Sequence, residues 1–124
     1  MSNMMAVLIN GIAQIEFDRD KPLNDYQLTY LDEMDKKMDG GIDIDGELVS
    51  SPELHQKIQF VTANMISAIK ADNEAMTSAL CSYLATRLPD LKQIKITEEG
   101  EGMSVDMVFD QEYKGQVAVG FTKH

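Results

Sequence analysis

The sequence predicts an α+β fold. It places a capped helix over 24–39 and a helical pair over 52–88, packed on a small antiparallel sheet with a C-terminal β-meander. Three observations predict it. Apolar residues recur at three- and four-residue steps through 28–38 and again through 54–88, which is the period of an amphipathic helix. From Ile94 to Phe121 they alternate instead, as on a half-buried strand. Asn10-Gly11 and Asp45-Gly46 each sit between short apolar stretches, the residue pairs that tight two-residue turns demand.

At the start of the chain, Ala6 to Ile9 and Ile12 to Phe17 flank Asn10-Gly11. A type I′ turn needs positive φ at both central residues, and Asn-Gly supplies it. A helix over 5–17 with Met5, Leu8, Ile9, Ile12 and Ile15 on one side competes with this hairpin, because Gly11 in its middle would cost only about 1 kcal/mol relative to Ala. The strand pair is the reading adopted.

After the charged connection Asp18 to Pro22, Asn24 and Gln27 form a capping box, with Leu23 and Leu28 placed as a hydrophobic staple. Leu28, Leu31, Met34 and Met38 make the buried stripe of this helix. Asp32, Glu33, Asp35, Lys36, Lys37 and Asp39 are expected on its solvated side, and Gly40 suits the left-handed residue past its end. Gly41 to Val49 then alternates about Asp45-Gly46, a second hairpin pattern.

Ser51 is a good N-cap and Pro52 a good first helical residue for the central stretch. Leu54, Ile58, Val61, Met65, Ala68 and Ile69 form one stripe. Met76, Ala79, Leu80, Tyr83, Leu84, Arg87 and Leu88 form another, and Pro89 stops it. Asp72 or Asn73 can cap a new helix between the stripes, giving an αα-hairpin. One unbroken helix would be too long for a small monomer to cover and would imply a partner chain. Two helices are the reading adopted. Beyond Pro89, Ile94 and Ile96 share a side. Met103, Val105, Met107 and Phe109 alternate with mostly polar neighbours, and Val117, Val119 and Phe121 alternate again. This meander is expected to turn one face to the core and leave the other largely wet.

The chain has 124 residues, 44% hydrophobic and 26% charged, which suits a single α+β domain over 1–124 and argues against disorder. No apolar run approaches the length of a membrane span. The apolar patch near the start has no Lys or Arg before it, unlike a signal peptide. One cysteine excludes an internal disulfide framework, so a cytoplasmic protein is expected. The net charge of −10 disfavours nucleic acid and anionic membrane as partners, since both need basic residues to displace counterions. The excess is uneven: residues 1–62 carry twelve acids against five bases, so an acidic face toward a basic protein partner is allowed.

The most suggestive chemistry is Asp43, Asp45 and Glu47, with Asp39 nearby. On an EF-hand loop these would take positions 3, 5 and 7, with Gly46 at the turn glycine and Leu48 at the apolar position. Position 1 would be Gly41 and position 12 would be Pro52, so two ligands are lost and only weak divalent-cation binding is expected. Cys81 is mid-helix between Leu80 and Leu84, without the neighbouring cation or helix N-terminus that activates a thiol. His55 has no second His, Cys or Asp at metal-ligand spacing. Ser50 and Ser51 fit no nucleophile motif, and His124 is the last residue. Gly40-Gly41 and Gly100-Glu101-Gly102 lack the Gly-Lys-Ser/Thr of a phosphate loop. Of nine methionines, Met34, Met38, Met65, Met76 and Met107 fall on core stripes and read as core filler.

No catalytic residue and no cofactor are therefore predicted. The function expected is that of a non-catalytic, acidic protein-interaction or accessory protein, which can pair as a homodimer through the exposed face or edge of the sheet. The alternative is a small enzyme or enzyme subunit using carboxylates in a cleft between helices and sheet, which works only where their pKa values are pushed apart.

Overall fold

The computed structural model describes residues 4–44 and 46–113. Its order is β1 (Met4–Ile9), β2 (Ile12–Asp18), α1 (Asp25–Asp39), β3 (Ile42–Ile44), β4 (Glu47–Val49), α2 (Leu54–Lys70), α3 (Glu74–Arg87), β5 (Gln93–Glu99) and β6 (Gly102–Val108). The chain divides into two compact units. One takes both ends of the chain, up to Asp20 and from Pro89 on, and the other is Lys21–Leu88.

The first unit is a four-stranded sheet in the order β2-β1-β5-β6. The Asn10-Gly11 hairpin forms, with φ of 50° and 83° at the two turn residues, and a bulge interrupts the β1–β2 register between Val7 and Leu8. The sheet is mixed rather than purely antiparallel. β1 runs parallel to β5, pairing Val7 with Ile94 and Ile9 with Ile96, while β5 and β6 form the antiparallel pair expected past Pro89. β1 is consequently an inner strand, and Met5, Ala6, Val7 and Leu8 are all buried, the continuous apolar run of a strand covered on both faces.

Register puts Met5, Val7, Ile94 and Ile96 on one face and Ala6, Leu8, Gln93 and Val108 on the other. The second face was expected to be largely wet; Lys95, Thr97, Ser104 and Asp106 are exposed there, but its other end is covered. Tyr113 buries itself there against Ala6 and Leu8, with Met4 and Ala13 alongside. Its hydroxyl bonds to the Glu16 carboxylate on β2, and Gln93 donates to the Gln111 carbonyl. The chain after β6 thus recrosses the sheet toward β2. Met103, Val105 and Phe109, expected on the core side, are 51%, 42% and 46% exposed because β6 is the outermost described strand. The alternation at Val117, Val119 and Phe121 lies outside the described residues.

The second unit holds the three helices and the β3–β4 hairpin. Asn24 caps α1 as expected: its side chain accepts from the Gln27 N–H at 2.8 Å, and the Gln27 side chain accepts from the Asn24 N–H at 2.9 Å. Gly40 keeps right-handed backbone, and Gly41 (φ 120°) takes the positive φ instead. Ser51 does not cap α2. It adopts φ 51° in the preceding turn, and Glu53 becomes the N-cap, donating its N–H to the Gln56 side chain at 2.8 Å.

The central stretch is two helices. Asp72 is left-handed (φ 56°) and Asn73 donates back to the Ala68 carbonyl, which closes α2 without a glycine. Aspartate tolerates that backbone better than most residues. The Asn73 side chain then caps α3 by accepting from the Met76 N–H. α3 buries Leu80, Tyr83 and Leu84 as the stripe predicts, but also Thr77, Cys81 and Ala85. Its apolar surface therefore runs round more than one side, as in an enclosed helix.

Candidate functional site

A charged cluster fastens the three helices together, and Asp35 is at its centre. The Tyr83 hydroxyl donates to Asp35 Oδ1 at 2.6 Å, and Arg87 Nε and Nη2 reach Oδ2 at 3.0 and 2.7 Å. Lys57 Nζ lies 3.4 Å from Asp35 Oδ1 and 2.7 Å from Asp39 Oδ1, and Arg87 Nη2 lies 3.5 Å from Asp32 Oδ1. The guanidinium also sits over the Tyr83 ring, 5.2 Å from its centroid, within cation–π range. One carboxylate from α1 thus satisfies a cation from α2 and both a phenol and a cation from α3.

The electrostatics follow from that geometry. Burial pushes the Asp35 carboxyl up, but the Tyr83 and Arg87 hydrogen bonds and the charges of Arg87 and Lys57 outweigh it and hold the group below its ordinary range. The hydrogen bond to Asp39 leads the effects that raise Lys57, against desolvation. Burial, reinforced by the Asp35 carboxylate, pushes the Tyr83 phenol well up. Asp35 is accordingly ionised and Tyr83 protonated near neutrality. The cluster has no proton to exchange there, and its chemistry is that of a clamp.

Asp35 was expected on the solvated side of α1. The sequence did hold a signal against that placement: Asp35 is four residues after buried Leu31 and three before buried Met38, which puts it on the same helical face. Arg87 likewise fell on the apolar stripe of α3, four residues from Tyr83.

The other sequence candidates are dispersed. In the β3–β4 hairpin, Asp43 and Glu47 are exposed, and Asp43 Oδ1 accepts the Gly46 N–H at 2.9 Å, as a turn-forming aspartate does. Asp45 lies outside the described residues, as does His124. Among the described residues no three His, Cys, Asp or Glu side chains gather as a metal-binding set. His55 is exposed in the first turn of α2. Cys81 is completely buried in α3.

The helical unit is open along α1. One cavity of about 430 Å³ is lined by Leu23, Tyr26, Tyr30, Asn73, Met76 and Ala79. A second of about 380 Å³ is lined by Tyr30, Met34, Met38, Phe60, Met76 and Leu80. Tyr30 and Met76 belong to both, so the two join into one groove with α1 as a wall. Tyr26 is 84% exposed, Tyr30 43% and Met76 42%. Met76 was expected as core filler; it shares a helical face with Leu80 but is 42% exposed and lines this groove with it. The groove's polar side chains are Gln27 and Lys37 from α1, Asn64 and Ser67 from α2, the cap residue Asn73, and Ser78 and Ser82 from α3.

Comparison of the chain with protein families, with curated proteins and with solved structures finds no match. Among the described residues, no helix is long and apolar enough to cross a membrane.

Proposed function

We propose that this chain is a non-catalytic protein-interaction protein whose working surface is the tyrosine–methionine groove of the helical unit. The observation that carries the reading is the division of labour between the two side-chain groups just described. The conspicuous titratable cluster is consumed in holding α1, α2 and α3 together. What the same helices leave uncovered is a continuous stripe of Tyr26, Tyr30 and Met76 over an apolar floor. Aromatic residues dominate binding energy at protein interfaces, since they bring large area with few torsions to freeze. Methionines adapt their shape to whatever packs against them. Large apolar side chains grouped in a groove are the usual mark of such a surface.

Photo-crosslinking tests this reading. Tyr30→p-benzoylphenylalanine is introduced into the full chain, irradiated in native lysate, and the adduct is weighed and sequenced. A protein adduct at position 30, absent when the same group replaces exposed Asp43, supports the reading. No protein adduct at position 30 overturns it, as does a turnover activity abolished by His55→Ala.

A further inference from the structure

We infer that Asn10-Gly11, at the tip of the β1–β2 hairpin, is a site of covalent self-modification, where Asn10 becomes aspartate or isoaspartate whenever its hold on β5 opens. Of the chain's asparagines only Asn10 is followed by glycine. Glycine has no side chain to shield its own nitrogen, which can therefore reach the amide carbon of the residue before it. Both residues are exposed, and a Cβ built on Gly11 would meet nothing within 4 Å, so water has access to the turn. In the first step the Gly11 nitrogen bonds to Cγ of Asn10 while the Cγ–Nδ2 bond breaks, and ammonia leaves with the proton from Gly11. Water then opens the cyclic imide at one of its two carbonyls. One opening leaves aspartate; the other leaves isoaspartate, whose chain runs on through the former side-chain carbon.

The native sheet holds this reaction shut. The last residue pair of the β1–β5 ladder is Ile9 with Ile96. Beyond it the Asn10 N–H donates to the Ile96 carbonyl at 2.8 Å, and Asn10 Oδ1 accepts the Glu98 N–H at 2.9 Å. In a regular parallel ladder a main-chain carbonyl would be that acceptor. Here the chain turns away at φ 50°, and the side chain takes its place. The side-chain amide is thereby aimed at β5 and not at Gly11. Left-handed backbone acts in the same direction, since its ψ of about +47° sets the next nitrogen nearly opposite Cβ across the Cα–C bond. Attack requires both arrangements to be undone, so opening of this corner gates the conversion. Isoaspartate then lengthens a two-residue turn by a methylene and draws the Glu98 acceptor into the chain, so the rung between β1 and β5 does not re-form. Aspartate keeps an acceptor there but adds a charge next to the strand end that carries Glu98 and Glu99.

Mass mapping of the full chain during incubation at mildly alkaline pH tests it, with isoaspartate identified by enzymatic carboxyl methylation. Folded wild type, wild type unfolded in urea, and Glu98→Pro checked for native circular dichroism are run side by side. The Glu98 N–H points at β1, so this substitution deletes the donor and spares the β5–β6 ladder on the strand's other edge. Conversion is expected at Asn10 ahead of every other asparagine. It should be at least about tenfold slower in the folded chain than in urea, and faster in folded Glu98→Pro than in folded wild type. Hydrogen exchange at the Glu98 amide gives a check that needs no variant: strong protection should accompany slow conversion, because one opening governs both. Equal rates in folded and unfolded chain, or conversion spread evenly over the asparagines, overturns the proposal. So does a natively folded Glu98→Pro that converts no faster than wild type, or a Glu98 amide that exchanges freely while conversion stays slow.

Discussion

Replacing Asp35 with alanine removes the acceptor on which Tyr83, Arg87 and Lys57 converge, and the structure says which loss dominates. Tyr83 is completely buried, and its hydroxyl has Asp35 Oδ1 at 2.6 Å. Without the carboxylate that hydroxyl is orphaned, at a cost of about 1–3 kcal/mol. Arg87 and Lys57 fare better, since Asp32 at 3.5 Å and Asp39 at 2.7 Å remain. Because each cation keeps that second acid, losing its pair with Asp35 counts about 0.5–1 kcal/mol. Asp35→Ala should therefore cost about 2–5 kcal/mol, a large share of the ~5–15 kcal/mol that holds a domain together. Tyr83→Phe, which removes the donor as well as its need, should cost only about 1–1.5 kcal/mol. The double variant should cost less than the sum by about 1–2 kcal/mol, because the orphan no longer exists. Urea unfolding at pH 7 followed by helical circular dichroism reads all three, with a midpoint shift of about 1–2 M expected for Asp35→Ala. A shift below about 0.5 M, or strict additivity in the double variant, would refute the assignment of Asp35 as the clamp.

The same cluster sets a pH window. Asp35 is held below its ordinary 3.8, so its contribution is present above that value and is lost as pH falls through the lower folded value. Lys57 and Tyr83 are held above 10.5 and 10.0, so theirs is complete below those values and fades above them. The urea midpoint should be flat from about pH 5 to 9 and fall on either side; an acid limb unchanged in Asp35→Ala would contradict this. At the β1–β2 turn, Gly11→Ala meets no atom within 4 Å but keeps φ at 83°, so about 1–2 kcal/mol of backbone strain alone is expected. A midpoint equal to that of wild type would show that the turn relaxes. Asn73→Ala deletes the α3 cap and should cost about 1 kcal/mol. Faster amide exchange confined to the first turn of α3 is the expected signature, and exchange accelerated evenly along α3 would point to another cause.

Two kinds of information separate in this chain. Local chemistry was legible wherever a few neighbouring residues decide the outcome. Asn24 with Gln27 specified the start of α1, Asn10-Gly11 specified a hairpin against a competing helix, and the polar break at Asp72-Asn73 divided α2 from α3. In each case the competing structures differ by backbone dihedrals and capping bonds that the same residues supply. Ser51 shows the limit of such reading. It and Glu53 can both cap, and the choice fell to Glu53 because Ser51 was needed at positive φ in the preceding turn.

What tertiary structure alone decided was the identity of neighbours distant in sequence. β1 pairs in parallel with β5, more than eighty residues away, and nothing in either strand announces the other, since apolar alternation suits any partner. Tyr113 covers one end of the face expected to be wet. Asp35 looks like one more acid on a charged helix until Tyr83 and Arg87 arrive from α3 and Lys57 from α2. The groove is of the same kind: Met76 reads as core, and Tyr26 and Tyr30 fall outside the α1 stripe, until the helices are assembled and leave all three lining one groove. Period and capping fix which face of an element is apolar. Only the packing of elements fixes whether that face is buried, clamped by charge, or left for another surface.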